Sequence, residues 1–172
     1  MKINSDQEIS QPITAENSSG EVTSGTEPLR SIVLTAQFEN LELMREFVAD
    51  AAEDCGFEPS EIYAVQLAVD EAFSNIIEHA YGGECLESVL CTCHNTGDAL
   101  TVTLRDCGQP FNPIQIPDPD ITADLESRKI GGLGLYFMRQ LMDEVDFEFT
   151  SHPETGKPCN LLKLVKRKDV GK

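Results

Sequence analysis

Residues 71–81 read EAFSNIIEHAY and lie within a longer run of helical periodicity. At about 100° per residue, Glu71, Asn75 and Glu78 form one polar stripe beside an apolar face. Such a stripe is most often only the solvated face of a helix. Here an acid and an amide stand one turn apart on a helix apolar enough to be mostly buried. Asn75 can ligate Mg²⁺ through its carbonyl oxygen, which leaves Glu71 free to act on a proton.

A second motif, RDCGQPF at residues 105–111, ends a predicted strand. At this position Asp106 can accept a hydrogen bond from an exocyclic amine, and Gly108 lets the backbone approach a flat ring closely. Asp, Gly and Pro are also common turn formers, so a plain turn is the alternative.

The third motif is GGLGL at residues 131–135, where a long loop meets a helix. Glycines at a helix N-terminus expose backbone N–H groups to phosphate, and the helix dipole adds to the attraction. Neither a P-loop nor a strand-linked dinucleotide fingerprint is present. A flexible hinge is the other interpretation, and it is compatible with phosphate binding.

The periodicities predict an α+β domain: a two-layer α/β sandwich whose mixed, mostly antiparallel sheet is covered on one face by helices. Asn40 is the expected N-cap of the first helix, and residues 82–83, both glycine, should end the second. The predicted order is a strand from residue 31, helices over 40–55 and 59–79, strands over 86–95 and 99–106, a loop over 109–129, a helix over 133–143 and a final hairpin over 145–165.

In this order the three motifs resemble the N, G1 and G2 boxes of the GHKL (Bergerat-fold, histidine-kinase-like) ATPase superfamily. The surrounding sequence, LAVDEAFSN through HAY and then LMDEV, resembles its anti-sigma regulatory factor and serine-protein kinase branch. The resemblance covers Ser31 to Lys166. It implies a GHKL ATP-binding domain over residues 31–168. Residues 1–30 are predicted from their polar composition to be a disordered arm, because they cannot bury enough apolar surface to fold.

The resemblance also implies roles for residues of the first two motifs. Asn75 would hold Mg²⁺ against the triphosphate of ATP, and Glu71 would be the general base. Asp106 would bind the adenine amino group, while Gly108 makes room for the ring.

Further roles fall around the long loop, since residues 109–129 would form the ATP lid. Gly132 and Gly134 would contact phosphates. Arg128 and Lys129 are candidates to neutralise the γ-phosphate, although solvated lid charges are an equal alternative. Asn160, which opens the last strand, would line the adenine pocket.

The implied function is that of an ATP-dependent serine-protein kinase and anti-sigma factor. It would phosphorylate a serine of an anti-anti-sigma (STAS) partner and regulate a sigma factor by partner switching, and a homodimer is in keeping with the branch. The alternatives are a non-catalytic ATP-binding module that only sequesters its target, and an ATP-binding adaptor unconnected with transcription. Pro110 and Phe111 stand where many GHKL ATPases have Gly and an aliphatic residue, which argues against gyrase-, chaperone- and repair-type enzymes. A sensor histidine kinase would need a dimerisation helix pair with a phospho-acceptor histidine before the domain, and the polar arm over residues 1–30 is expected to be too short for one.

Charge restricts the partners. Thirty acidic against 13 basic residues give a net charge of −17. Such a surface repels phosphate backbones, so we expect no direct nucleic-acid binding. The charge suits a basic protein partner, and it serves solubility equally well.

Six cysteines are scattered along a chain without an apolar signal or membrane segment, which predicts a cytoplasmic protein with free thiols and no membrane contact. Residues 91–94, CTCH, could offer three metal ligands. Packing of Cys91 and Cys93 on one face of a strand is the favoured interpretation, because no second ligand pair follows at zinc-like spacing.

Overall fold

The structure, a computed structural model, describes residues 29–110 and 133–169. Its helices and strands are β1 (Leu29–Thr35), α1 (Leu41–Asp54), α2 (Pro59–Asn75), β2 (Ser88–Asn95), β3 (Ala99–Asp106), α3 (Leu133–Leu141), β4 (Glu144–Ser151) and β5 (Pro158–Arg167). Each agrees with a predicted element to within a few residues. Most of the predicted arm and of the predicted lid lies outside the described residues. Within them, no helix is both long and apolar enough to cross a membrane.

The five strands form one sheet in the order β1-β2-β3-β5-β4. All four pairings between described strands are antiparallel, which confirms the α+β class. In β2 and β3 every second side chain is buried, because one face of each strand packs on the helices and the other faces outward. The core between the layers includes Met44, Phe73 and Leu104, each fully buried.

Asn40 precedes α1, but its side chain does not cap the helix. Its Nδ2 donates instead to the carbonyl oxygen of Thr35 at 3.0 Å and to the Thr35 hydroxyl at 2.9 Å. The prediction that the Asn40 side chain caps α1 is therefore wrong. The end of β1 lies close enough for Thr35 to accept hydrogen bonds from the Asn40 amide instead.

The second helix changes its hydrogen-bond pattern after Asn75. Residues Ile76–Ala80 form a π-helical turn, in which the backbone N–H of Tyr81 donates to the carbonyl of Ile76 at 3.1 Å. Such wide turns often lie at functional sites. Here the turn sends Ala80 and Tyr81 towards the residues that follow β3.

The cysteines divide into two groups. Cys91 and Cys93 are buried in the core, as their alternation predicts, and no cluster of potential metal ligands occurs within residues 29–110 and 133–169. By contrast, Cys107 and Cys159 are joined by a disulfide bond, so the prediction that all thiols are free is wrong for this pair. The two lie 52 residues apart in sequence, and the pairing of β3 with β5 brings them together.

Candidate functional site

The site begins where the end of β3 lies beside the start of β5. In their antiparallel register Asp106 lies directly opposite Asn160. The amide Nδ2 of Asn160 donates to Asp106 Oδ1 at 2.9 Å and to the backbone oxygen of Gln109 at 3.0 Å. Asp106 Oδ1 also accepts the backbone N–H of Gly108 at 2.9 Å. Both of these hydrogen bonds fall on one carboxylate oxygen, which fixes the orientation of the side chain.

Asp106 is a buried carboxylate, only 3% exposed. Desolvation raises its pKa above the ordinary value, while the hydrogen bonds from Gly108 and Asn160 act in the opposite direction. Both hydrogen bonds fall on Oδ1, so Oδ2 is the oxygen of this carboxylate that can accept from a ligand donor.

A cavity that opens to solvent lies beside Asp106. Its lining residues come from α2, the π-helical turn, α3 and the strands β3, β4 and β5: Ala72, Asn75, Ile76, Asp106, Met138, Phe147, Asn160 and Leu162. Apolar walls with a few convergent polar groups are typical of pockets for small molecules and cofactors. This lining suits a flat apolar ring that carries a hydrogen-bond donor on its edge.

The start of α3 lies against the acid and amide of α2. A Cβ atom added at Gly134 would lie 2.6 Å from Glu71 Oε2 and 3.1 Å from Asn75 Nδ2. Only glycine therefore fits without displacing the Glu71 carboxylate. The structure thus brings the third motif into contact with the first, and Asn75 links both to the cavity.

The Glu71 carboxylate is partly buried, and its pKa is raised. The causes are desolvation first, then the charges of Asp70 and Glu78. Asp70 is itself bound by Arg45, whose Nε and Nη2 lie 2.9 and 2.8 Å from Oδ2. The other oxygen, Oδ1, is buried and has no hydrogen-bond partner within the described residues. A carboxylate with a raised pKa is suited to accept a proton near neutral pH.

Tyr81, which the sequence reasoning missed, supports the turn after β3. Its hydroxyl accepts the backbone N–H of Cys107 at 3.2 Å, and burial raises its pKa to about 12, so the hydroxyl stays protonated. Next to it, the Ala80 oxygen accepts the Gln109 N–H at 2.7 Å. A Cβ at Gly108 would lie only 2.6 Å from that same oxygen. The end of the π-helical turn thus holds the three residues that follow Asp106.

Six of the nine predicted site residues are therefore described and lie around one cavity and its rim: Glu71, Asn75, Asp106, Gly108, Gly134 and Asn160. The other three, Arg128, Lys129 and Gly132, lie outside the described residues. Of the predicted lid, only Gln109 and Pro110 are described. The only signal in the sequence for Tyr81 is its place at the end of the first motif.

The sheet order, the helical layer and this site define a class of protein. The chain belongs to the family of histidine kinase-like ATPase domains, whose family model matches residues 34–166.

Several proteins that are similar in sequence to this chain are named serine-protein kinases. The chain is 29% identical to the serine-protein kinase RsbW of Listeria innocua, over 81% of this chain and 89% of the relative. The serine-protein kinase RsbW of Staphylococcus epidermidis is 25% identical, over 80% of this chain and 87% of the relative. Among solved structures, the RsbU and RsbW domains of Rv1364c from Mycobacterium tuberculosis superpose with a TM-score of 0.56 at 17% identity. That match covers 82% of this chain and 32% of the solved one, and it shows a shared fold.

Proposed function

We propose that this chain is an ATP-dependent serine-protein kinase and anti-sigma factor. It would phosphorylate a serine of an anti-anti-sigma (STAS) partner and regulate a sigma factor by partner switching. The observation that carries the proposal is the contact of Gly134 with Glu71 and Asn75, because it joins a helix N-terminus to an acid and an amide beside the open cavity at Asp106. The relatives named serine-protein kinase RsbW support the choice of reaction.

We propose adenine as the base that enters the cavity. Asp106 Oδ1 is taken by Gly108 and Asn160, which leaves Oδ2 to accept the exocyclic amine. The walls formed by Met138, Phe147 and other apolar side chains would pack on the ring. If the purine 6-position faces Oδ2, guanine would present a carbonyl there where adenine presents its amine, so guanine is disfavoured in that orientation.

The phosphates would extend from the cavity towards the start of α3. Backbone N–H groups near Gly132 and Gly134 would bind them, since the helix dipole favours negative charge there. Asn75 would hold Mg²⁺ through its carbonyl oxygen, and Mg²⁺ would neutralise charge on the phosphates. Arg128 and Lys129 are proposed as lid cations for the γ-phosphate.

In the transfer step Glu71 accepts the proton of the attacking serine hydroxyl. The serine oxygen bonds to the γ-phosphorus while the bond to the β-phosphate oxygen breaks, and ADP leaves. The raised pKa of Glu71 suits this role, because a base with a pKa nearer to neutral binds the proton more readily.

The net charge of −17 suits a partner whose docking face is basic, and it disfavours direct binding to nucleic acid. We propose the cytoplasm as the compartment, because ATP is available there as phosphoryl donor. A homodimer is proposed from the resemblance alone.

The test is incubation of the full chain with Mg²⁺ and γ-labelled ATP, with and without STAS-domain proteins from the same genome, followed by mapping of the phosphosite. Label on a partner serine is the expected result. ATP binding without transfer to any such partner would favour a module that only sequesters its target. Absence of ATP binding would overturn the assignment of the site.

A further inference from the structure

The disulfide bond lies one residue beyond the pair that we assign to adenine. Cys107 directly follows Asp106, Cys159 directly precedes Asn160, and Asp106 and Asn160 lie opposite each other in the sheet. The covalent bond therefore ties together the ends of the two strands that carry the proposed adenine-binding side chains.

The same bond restrains the turn over residues 107–109, which contributes two hydrogen bonds to the pair. The Gly108 N–H donates to Asp106, and the Gln109 oxygen accepts from Asn160. Without the bond, the turn would still be held by the hydroxyl of Tyr81 and the oxygen of Ala80. We therefore expect reduction to loosen the turn without unfolding the domain.

The two residues differ in exposure. Cys107 is half-buried, whereas Cys159 is 2% exposed, so we expect a small thiol to attack at Cys107. Cys159 Sγ lies 3.3 Å from the backbone oxygen of Lys157. That oxygen can accept a hydrogen bond from the Cys159 thiol once it is reduced, so the reduced state also has a partner.

We propose that Cys107 and Cys159 form a thiol–disulfide exchange site that couples the redox state of small cellular thiols to nucleotide affinity. The inference rests on the proposed adenine site. It also fits a reducing compartment, where persisting disulfides are usually transient or redox-sensing.

The exchange balances with a dithiol as reductant. Its thiolate attacks Cys107 Sγ, the bond between the two protein sulfurs breaks, and Cys159 leaves as a thiolate that takes up a proton. The second thiol of the reductant then displaces Cys107 from the mixed disulfide. Two electrons pass to the protein, and the reductant is released as its own disulfide. Oxidised glutathione reverses the sequence and leaves as two thiols.

The oxidised chain should bind adenine nucleotide more tightly, because the restrained turn has less freedom to lose on binding. The test uses the full chain equilibrated with dithiothreitol or with oxidised glutathione. The bridge is mapped by alkylation and mass spectrometry without nucleotide, and the Kd for ADP is measured in both states. We expect the Kd to rise about three- to tenfold on reduction, which corresponds to restraining one or two groups.

Two variants control the measurement. Cys107→Ser should bind ADP like the reduced wild type in both buffers, whereas Cys85→Ser, which changes a half-buried cysteine outside the pair, should respond like the wild type. Failure of the bridge to form under oxidised glutathione would overturn the proposal, and so would a bridge that leaves the Kd unchanged. A chain that binds no ADP in either state would overturn the proposed function together with the coupling.

Discussion

Replacing Asp106 by Asn isolates the oxygen that we assign to the adenine amine. Two donors, the Gly108 N–H and the Asn160 amide, point at Oδ1 from 2.9 Å each. They would hold the carbonyl oxygen of the new amide at the same place, since an NH₂ group there would face two donors. The substitution therefore keeps both internal hydrogen bonds and changes only Oδ2, which becomes a donor.

The size of the effect follows from the hydrogen bond that is lost. A hydrogen bond to a charged group contributes about 1.5–3 kcal/mol, and the new amide would also oppose the amine donor to donor. This predicts a loss of ATP affinity of about 10- to 150-fold. Because desolvation raises the pKa of Asp106, the ionised form is disfavoured in the fold at neutral pH. The neutral variant should therefore unfold at the same temperature as the wild type or at a higher one.

The assay is calorimetric titration with three triphosphates that differ at the purine 6-position. The variant should lose affinity for ATP, change little for the purine riboside analogue without the amine, and gain for inosine triphosphate, whose carbonyl can accept from the new amide. Asp98→Asn, an exposed change at the opposite end of β3, is the matched control and should bind all three like the wild type. An equal loss for all three nucleotides in the Asp106 variant would show that Oδ2 does not bind the adenine amine. A large drop in melting temperature would show that the substitution does not keep the two internal hydrogen bonds.

Three further predictions follow from contacts in the described residues, two at the site and one at the start of α2. Tyr81→Phe removes the acceptor for the turn after β3 and should weaken ATP binding by about three- to tenfold; titration should show no such loss in Tyr63→Phe, which changes an exposed tyrosine. Glu61→Gln should destabilise the domain by about 1–2 kcal/mol at pH 7. One carboxylate oxygen of Glu61 accepts the backbone N–H of Glu58 at 2.7 Å and the other accepts that of Asp169 at 2.8 Å, whereas an amide has one acceptor oxygen and can keep only one of the two. The pKa of Glu61 is lowered in the folded state, so the difference in unfolding free energy between wild type and variant should shrink as the pH falls through that pKa. Urea denaturation at several pH values measures this difference, and a difference that does not change with pH would contradict the prediction. Gly134→Ala should displace the Glu71 carboxylate and reduce phosphoryl transfer by at least about tenfold. The circular dichroism spectrum should stay unchanged. Full kinase activity in this variant would show that the position of the Glu71 carboxylate does not depend on glycine at 134.

Local patterns in the sequence were sufficient for the helices and strands, and they pointed to six residues that lie around one cavity. Alternation places the end of β3 at Asp106, and helical spacing places Glu71 and Asn75 on one face of α2. Glycine at 134 marks a helix start where backbone N–H groups can meet phosphate, and the structure adds that Glu71 lies against this glycine. These features depend on residues only a few positions apart, so periodicity and turn chemistry reveal them.

Features that depend on strand register were beyond the sequence. The disulfide between Cys107 and Cys159 requires β3 and β5 to pair with Asp106 opposite Asn160. No local pattern sets that register, and the scattered cysteines suggested free thiols. The role of Tyr81 was missed for a similar reason, since its partner at Cys107 lies 26 residues away and is reached through a π-helical turn that periodicity does not reveal.

The most direct test of the account is to measure ATP binding and phosphoryl transfer on the same preparation of Glu71→Gln. If Glu71 is the general base, transfer to the partner serine should fall by about 100- to 10,000-fold while the Kd for ATP stays within about twofold of the wild type. Glu148→Gln makes the same change of charge at an exposed position of β4 and should transfer normally. Phosphorylation by the Glu71 variant at the wild-type rate would show that Glu71 is not the general base.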